Sequence, residues 1–487
     1  MKKVELVFVP APGVGHVVST VEIAKLLTAR DQRLSITILI IKLPFDSKIT
    51  SFVELLSDQS CDRIRFLQLP HTDAARELLS RSDGRGNPAE FIHWHKSPVR
   101  DVVSEMISSG SDSSTLAGLV VDMFCTPMVE VAKEFAIPAY VFFTSSAGML
   151  GMLFHLQSLH DEHGIDTTEF RPDSDEVLEV PTFAKAFQVK CMPSRLLDKD
   201  SGAKMFYGVA RTFREVRGII INTFMELETH AVKALADDAS LPEIYAVGPV
   251  LNLKTEPDND DQVKSILGWL DNQPSSSVVF LCFGSMGVFR DEQVLEIAHA
   301  LERSGHRFLW SLRRPPPPNH RGKFPADYDN PQEVLPEGFL ERTAATGKVI
   351  GWAPQVAVLS HPAVGAFVSH CGWNSTLESI WCGVPMAAWP LYAEQQLNAF
   401  QLVEELGLAV EVKMDYRKES DAVVKAAVIE GAIRRLMDGE KSGEIMREKL
   451  AEMKEKSRKA VMEGGTSYNS MARLIDDLVS NTSNGSS

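Results

Sequence analysis

Short unbroken apolar runs alternate along this chain with longer stretches whose apolar residues recur every three or four positions. KVELVFVP (Lys3 to Pro10), LAGLVV (Leu116 to Val121), IYAVGPVL (Ile244 to Leu251), VVFLC (Val278 to Cys282), Arg307 to Leu312, Lys348 to Gly351 and VGAFVSH (Val364 to His370) are such runs. They are continuous rather than alternating and rich in β-branched residues. That pattern predicts strands buried on both faces, as in parallel sheets. Helical spacing begins near Val17, with Val18, Val21, Ala24 and Leu27 on the inner face. It recurs over Asp291 to Arg303, Asp421 to Met437, Gly443 to Lys459 and Thr466 to Val479. Strands alternating with helices predict an α/β protein.

The alternation breaks at NLKTEPDNDDQ, an acidic, proline-containing stretch that reads as a linker. It divides the chain into domains at 1–250 and 266–465, joined by 251–265. Both halves share the same alternation, which suggests two similar nucleotide-fold domains. PPPPNHRGKFPADYDNPQE (Pro315 to Glu333) reads as a surface loop, and the tail 481–487 as disordered.

The densest chemistry lies in a 44-residue run, Trp352 to Gln395. VGAFVSH is a buried strand and Cys371-Gly372 its tight exit. Asn374, Ser375 and Thr376 are helix-starting residues, with Glu378, Leu377, Ile380 and Trp381 following. Gly383 ends that helix, VPMAAWP returns as a strand, and Ala393 starts another helix. The Gly372 to Ser375 turn therefore sits at the carboxyl end of a parallel strand, where free N–H groups and the helix dipole favour an anion. Helix capping alone explains Asn374 and Ser375. It does not explain His370 before them and Glu378 after them.

This run resembles, without a gap, the signature of plant secondary-product glycosyltransferases, the family 1 UDP-dependent enzymes. The likeness extends more loosely over the whole chain. It implies two Rossmann-like domains facing across a cleft, the fold called GT-B, with helix 466–480 packing back on the first domain. It also implies roles. Trp352 would stack on uracil, with Ala353 and Gln355 at the base and ribose. Glu378 would accept from the ribose hydroxyls, and His370, Asn374 and Ser375 would hold the diphosphate. Trp373, Glu394 and Gln395 would contact the sugar. In this family a closing Gln goes with glucose and His with galactose, so Gln395 points to UDP-glucose. Ser285, in the Gly-Ser-Met-Gly turn after Val278 to Cys282, resembles the second diphosphate loop.

At the other end, Ala11 to His16 follows the first strand, so His16 sits where a strand turns into a helix. A helix N-terminus disfavours imidazolium, which keeps the ring able to act as a base. Leu116 to Val121 ends in Asp122, and a carboxylate there can orient an imidazole. Asp122 could instead cap the following segment. The resemblance assigns these two positions to a catalytic dyad. His16 would deprotonate an acceptor hydroxyl attacking the anomeric carbon through an oxocarbenium-like transition state. No second, nucleophilic carboxylate is visible, so one displacement would invert the centre and give a β-glucoside.

The acceptor side is less defined. Gly13 and Gly15 let backbone approach near His16, and Phe124 and Tyr392 are further contact candidates. Phe142, Phe143, Met149, Phe154, Phe183, Phe187 and Met192 suit either a lipophilic pocket or ordinary core. A flavonoid or other phenolic acceptor is expected, with a triterpenoid or other terpenoid as the alternative.

Composition narrows the field. A formal charge of −15 over 487 residues argues against nucleic acid and anionic membranes. Six irregularly spaced Cys read as reduced thiols in a cytoplasmic protein. Pro10 and Pro12 break the first apolar run too early for a signal peptide, and no run approaches a membrane span. Asp173-Ser174-Asp175 and Asp258-Asn259-Asp260 lie in polar stretches away from strand ends, and His93-Trp94-His95 has no further ligands nearby. No metal or cofactor is expected, UDP-glucose being a co-substrate, and a monomer suffices. A dinucleotide fingerprint fails at Val18 and at Ile40-Ile41-Lys42. A non-catalytic UDP-sugar binder would need the run Trp352 to Gln395 but not His16 and Asp122.

Overall fold

The computed structural model describes residues 3–42, 62–70, 88–109, 114–253, 261–317, 324–439 and 441–481. These form two compact units. The first comprises Met1–Ile165, Lys204–Asn252 and Lys459–Ser487, the second Asp166–Ala203 and Leu253–Arg458. Segment 166–203 thus groups with the second unit, although it lies inside the sequence span 1–250.

The first unit is built on a parallel sheet of β1 (Lys3–Val9), β2 (Leu34–Ile40), β3 (Ile64–Gln68), β4 (Ser114–Asp122), β5 (Ala139–Phe143), β6 (Gly218–Ile221) and β7 (Glu243–Ala246), in the order β3-β2-β1-β4-β5-β6-β7. Its central strands carry Leu6, Phe8, Val120 and Phe142 into a core shared with Val17, Val21 and Leu27 of the helix Val14–Arg30. Phe142 and Phe143 are accordingly sheet core, not pocket lining; Phe143 packs edge-on to Phe213. β7 stops before Val247 although the apolar run continues to Leu251. Pro249 has no N–H for a ladder, and Val250 exchanges both backbone bonds with the Asn222 side chain (2.7 and 3.1 Å).

The C-terminal helix Thr466–Ser480 buries Met471, Leu474 and Leu478 in that same core. Asp477 accepts hydrogen bonds from Tyr140 (2.7 Å), Tyr245 (3.2 Å) and Arg217 (2.6 Å). Truncating a buried leucine such as Leu474 to alanine removes ~2–5 kcal/mol.

The second unit repeats the plan with β8 (Val278–Cys282), β9 (Arg307–Ser311), β10 (Gly347–Ile350), β11 (Val364–Ser369), β12 (Met386–Ala388) and β13 (Ala409–Glu411), ordered β10-β9-β8-β11-β12-β13. In each sheet the strand order reverses once, between β1 and β4 and between β8 and β11. Ligands of open α/β sheets bind beyond the carboxyl ends of strands at that reversal.

Some boundaries differ from the sequence pattern for visible reasons. The helix expected from Asp421 begins at Ala426: Lys425 before it is extended, and both amide atoms of Gln293 hold the Val424 backbone (2.7 and 2.9 Å). The helix expected from Ala393 begins at Gln395, because Ala393 is left-handed (φ 56). Part of the proline-rich excursion is ordered as a ribbon, Arg313–Arg314 against Ala326–Asp327, with Arg313 buried and paired to Asp327 at 2.9 Å. The linker residues 254–260 and the tail from 482 lie outside the described residues.

Candidate active site

β1 and β4 are neighbours with Val9 opposite Val121, so whatever follows Val9 and Val121 is brought together. The helix after β1 starts at Val14, placing His16 in its first turn. Asp122 is the last residue of β4. His16 Nδ1 lies 2.8 Å from Asp122 Oδ2. The carboxylate is buried, while the imidazole keeps about a third of its surface (30%) exposed. An ionised carboxylate can only accept, so Nδ1 carries the proton and Nε2 is the basic nitrogen. Asp122 is itself fixed, its Oδ1 accepting the Phe124 N–H at 3.0 Å. The half-buried Phe124 ring meets the imidazole edge-on at 5.5 Å.

One neighbour was not singled out from sequence. Thr144 Oγ1 is 3.3 Å from His16 Nδ1. It follows β5, the strand beside β4, and so ends the next apolar run exactly as Asp122 ends its own; that was the available signal.

In the second unit, Cys282 of β8 stands opposite Ser369 of β11. The turns after these strands enclose His370. A side chain on Gly284 (φ 71) or on Gly372 would come within 2.6 Å of His370 Nε2, so both turns need glycine to close on the ring. His370 is buried, Nδ1 has no hydrogen-bond partner among the described residues, and burial lowers its pKa to about 4. It is a neutral imidazole at ordinary pH. Ser285 is exposed on the β8 turn.

Gly372 then caps the helix Trp373–Cys382, which Gly383 ends in a left-handed conformation. Trp373 is nearly fully buried, Ser375 is buried and Asn374 half-buried at its first turn. Gln355, on the short helix after β10, ties the next groups together. Its amide donates to Ser375 Oγ (2.8 Å) and Glu378 Oε2 (2.6 Å). Burial pushes the Glu378 carboxyl up to about 7, and the Gln355 bond opposes this. Trp352 is half-buried and Ala353 buried just before Gln355.

After β12 come Tyr392, Glu394 and Gln395. Gln395 Oε1 accepts the N–H groups of Leu391 (2.9 Å) and Tyr392 (3.1 Å), which commits its oxygen and fixes the amide orientation. Burial pushes the Tyr392 hydroxyl up to about 12. The structure therefore sets Ser285, Trp352 to Gln355, His370 to Glu378 and Tyr392 to Gln395 along one carboxyl edge, and His16, Asp122, Phe124 and Thr144 along the other unit's.

Residues 242–447 match the family described as "UDP-glucoronosyl and UDP-glucosyl transferase". A Fragaria ananassa protein named putative UDP-glucose flavonoid 3-O-glucosyltransferase 3 is 53% identical over 98% of this chain and 100% of its own length. The chain belongs to the UDP-glycosyltransferase family. Among solved structures, a Siraitia grosvenorii UGT transferase in complex with UDP is 47% identical, with a TM-score of 0.86 over 98% of this chain and 100% of that one. Medicago truncatula UGT71G1 complexed with UDP-glucose is 42% identical, with a TM-score of 0.84 over 98% of each chain. The UDP-glycosyltransferase fold is thus the two-sheet GT-B architecture described above.

Other motifs do not join the site. His93 is exposed and His95 buried, with Nδ1 donating to the Phe91 carbonyl at 2.9 Å. Asp173 and Asp175 are exposed, and Asp258 and Asp260 lie outside the described residues. Among the described residues no three His, Cys, Asp or Glu converge, and no helix is long and apolar enough to cross a membrane. Phe183 and Phe187 pack on Phe400, inside the second unit.

Proposed function

We propose that this UDP-glycosyltransferase transfers glucose from UDP-glucose to a hydroxyl of a lipophilic plant small molecule, a flavonoid or other phenolic, with inversion and without a divalent metal. The observation that carries the reading is the 2.8 Å His16–Asp122 pair, which leaves Nε2 as a base in a half-exposed ring.

His16 Nε2 takes the acceptor proton as the oxygen attacks the anomeric carbon. Asp122 holds the tautomer and stabilises the imidazolium that forms. The anomeric C–O bond breaks with its electron pair leaving on the β-phosphate, and UDP departs from the opposite face. One displacement converts an α-linked donor into a β-O-glucoside.

The second unit supplies the donor site in this reading. The N-terminus of the 373–382 helix and the Ser285 turn meet the charge growing on the diphosphate. His370, dry and neutral, offers an uncharged nitrogen there. Trp352 stacks on uracil, and Glu378 accepts from the ribose hydroxyls, which favour its ionised form. Gln395, its oxygen already committed, presents its NH₂ as a donor toward the sugar. The Fragaria ananassa relative, named as a putative flavonoid glucosyltransferase, supports a phenolic acceptor.

The test is a mass-spectrometric screen of the purified protein with UDP-glucose and EDTA against flavonols, hydroxycinnamates, triterpene alcohols and terpenoid acids. A one-hexose gain on phenolics is expected. Product only on terpenoids would replace the acceptor class. Dependence on added metal would overturn the mechanism.

A further inference from the structure

We propose that Asn398 is a positioning residue for the diphosphate: it holds the turn at Cys371 in the shape that aims the first N–H groups of the 373–382 helix. This rests on the reading of that turn as the diphosphate site.

Asn398 lies three residues beyond the 44-residue run and is fully buried. Its Nδ2 donates to the Cys371 carbonyl at 3.0 Å. Cys371 has φ 61, a left-handed backbone that a non-glycine residue holds only when its surroundings impose it. It stands between the last residue of β11 and the cap of the helix, where neither a ladder nor a helix accounts for its polar groups. Side chains account for them instead. Ser369 Oγ accepts the Cys371 N–H at 3.3 Å, and Asn398 satisfies the carbonyl. Buried backbone groups need such partners.

The consequence is geometric. Gly372 follows directly and is packed against His370, with no room for even a methyl group. A rotation of the Cys371–Gly372 peptide would therefore re-aim the helix cap that faces the anion. Asn398 also sits one turn after Gln395 on the helix Gln395–Phe400, which continues as a π-helical turn over Gln401–Glu405. One buried amide thus ties the diphosphate turn to the helix that carries the sugar contact.

The experiment compares UDP with uridine, which shares base and ribose but lacks the diphosphate. Calorimetric affinities for both are measured on the wild type, on Asn398→Leu and on Asn398→Ser, the smaller polar variant guarding against a folding failure. We expect uridine affinity to stay within about twofold, while the preference for UDP over uridine falls about tenfold, equivalent to ~1.4 kcal/mol. Parallel loss of both ligands, or an unchanged preference, overturns the positioning role and leaves the donor reading standing. A wild type that binds UDP no better than uridine overturns both.

Discussion

The two sheets share a strand order and reverse at the same place, yet they treat histidine in opposite ways. In the first unit the group that ends the fourth strand in sequence is Asp122, and the histidine after the first strand is hydrogen-bonded to it and about a third exposed. In the second unit the group after the corresponding strand is the histidine itself. His370 is enclosed by two glycine turns, has no hydrogen-bond partner at Nδ1 among the described residues and is held neutral by burial. One environment leaves an imidazole nitrogen open beside a carboxylate, and the other disfavours the charged ring by burial. In the proposed reading, a single topology thus serves a base in one unit and an anion site in the other.

That contrast can be broken most severely at Asp122. Asp122→Asn should favour the wrong His16 tautomer and lower kcat by at least ~10²-fold, with UDP affinity retained. Wild-type turnover in that variant, followed by glucoside formation, would remove the dyad. His370→Ala should act on the other property, weakening UDP by about tenfold or more while leaving the pH dependence of kcat in place, because burial pushes the His370 pKa down to about 4. A kcat that lost its pH dependence in this variant would show the roles to be misassigned.

Glu378 sharpens the comparison through protons. Its folded pKa, about 7, lies above the ordinary carboxyl value, so its contribution to stability is present at low pH and is lost as pH rises through about 7. His370 has the opposite sign: its folded pKa is depressed, so its contribution is complete above the ordinary imidazole value and is lost as pH falls toward about 4. Ribose hydroxyls favour ionised Glu378, so UDP binding below pH 7 should release part of a proton. Titration calorimetry in buffers of differing ionisation enthalpy reads that release, and Glu378→Gln should abolish it. Proton release persisting in the variant would place the linkage elsewhere. The smallest effect is expected from Gln395→His. Losing an oxygen that accepts two backbone N–H groups should shift glucose-over-galactose preference by severalfold, about 1 kcal/mol. An unchanged preference would remove the reason for naming glucose.

Much of this was legible in the chain. Parallel strands buried on both faces announce themselves as continuous apolar runs, and β8 occupies the span Val278 to Cys282 that its run marked. Asp122 closes such a run and His16 follows one where a helix begins, and the family resemblance paired them. What was not legible depends on contacts made across many residues. Thr144 beside His16 and Asn398 beneath Cys371 are ordinary polar residues whose meaning comes from register and packing. The Phe142 and Phe183 rings show the same difficulty from the other side. An apolar side chain in sequence does not say whether it faces a pocket, a sheet core or, as Phe183 does, a phenylalanine more than two hundred residues away.

The central claim is tested most directly by His16→Ala, assayed in parallel for UDP affinity by calorimetry and for glucoside formation from UDP-glucose. The account predicts UDP affinity within about twofold of wild type and turnover lowered ~10²–10⁴-fold. Retained turnover, or UDP affinity lost in step with turnover, would contradict it.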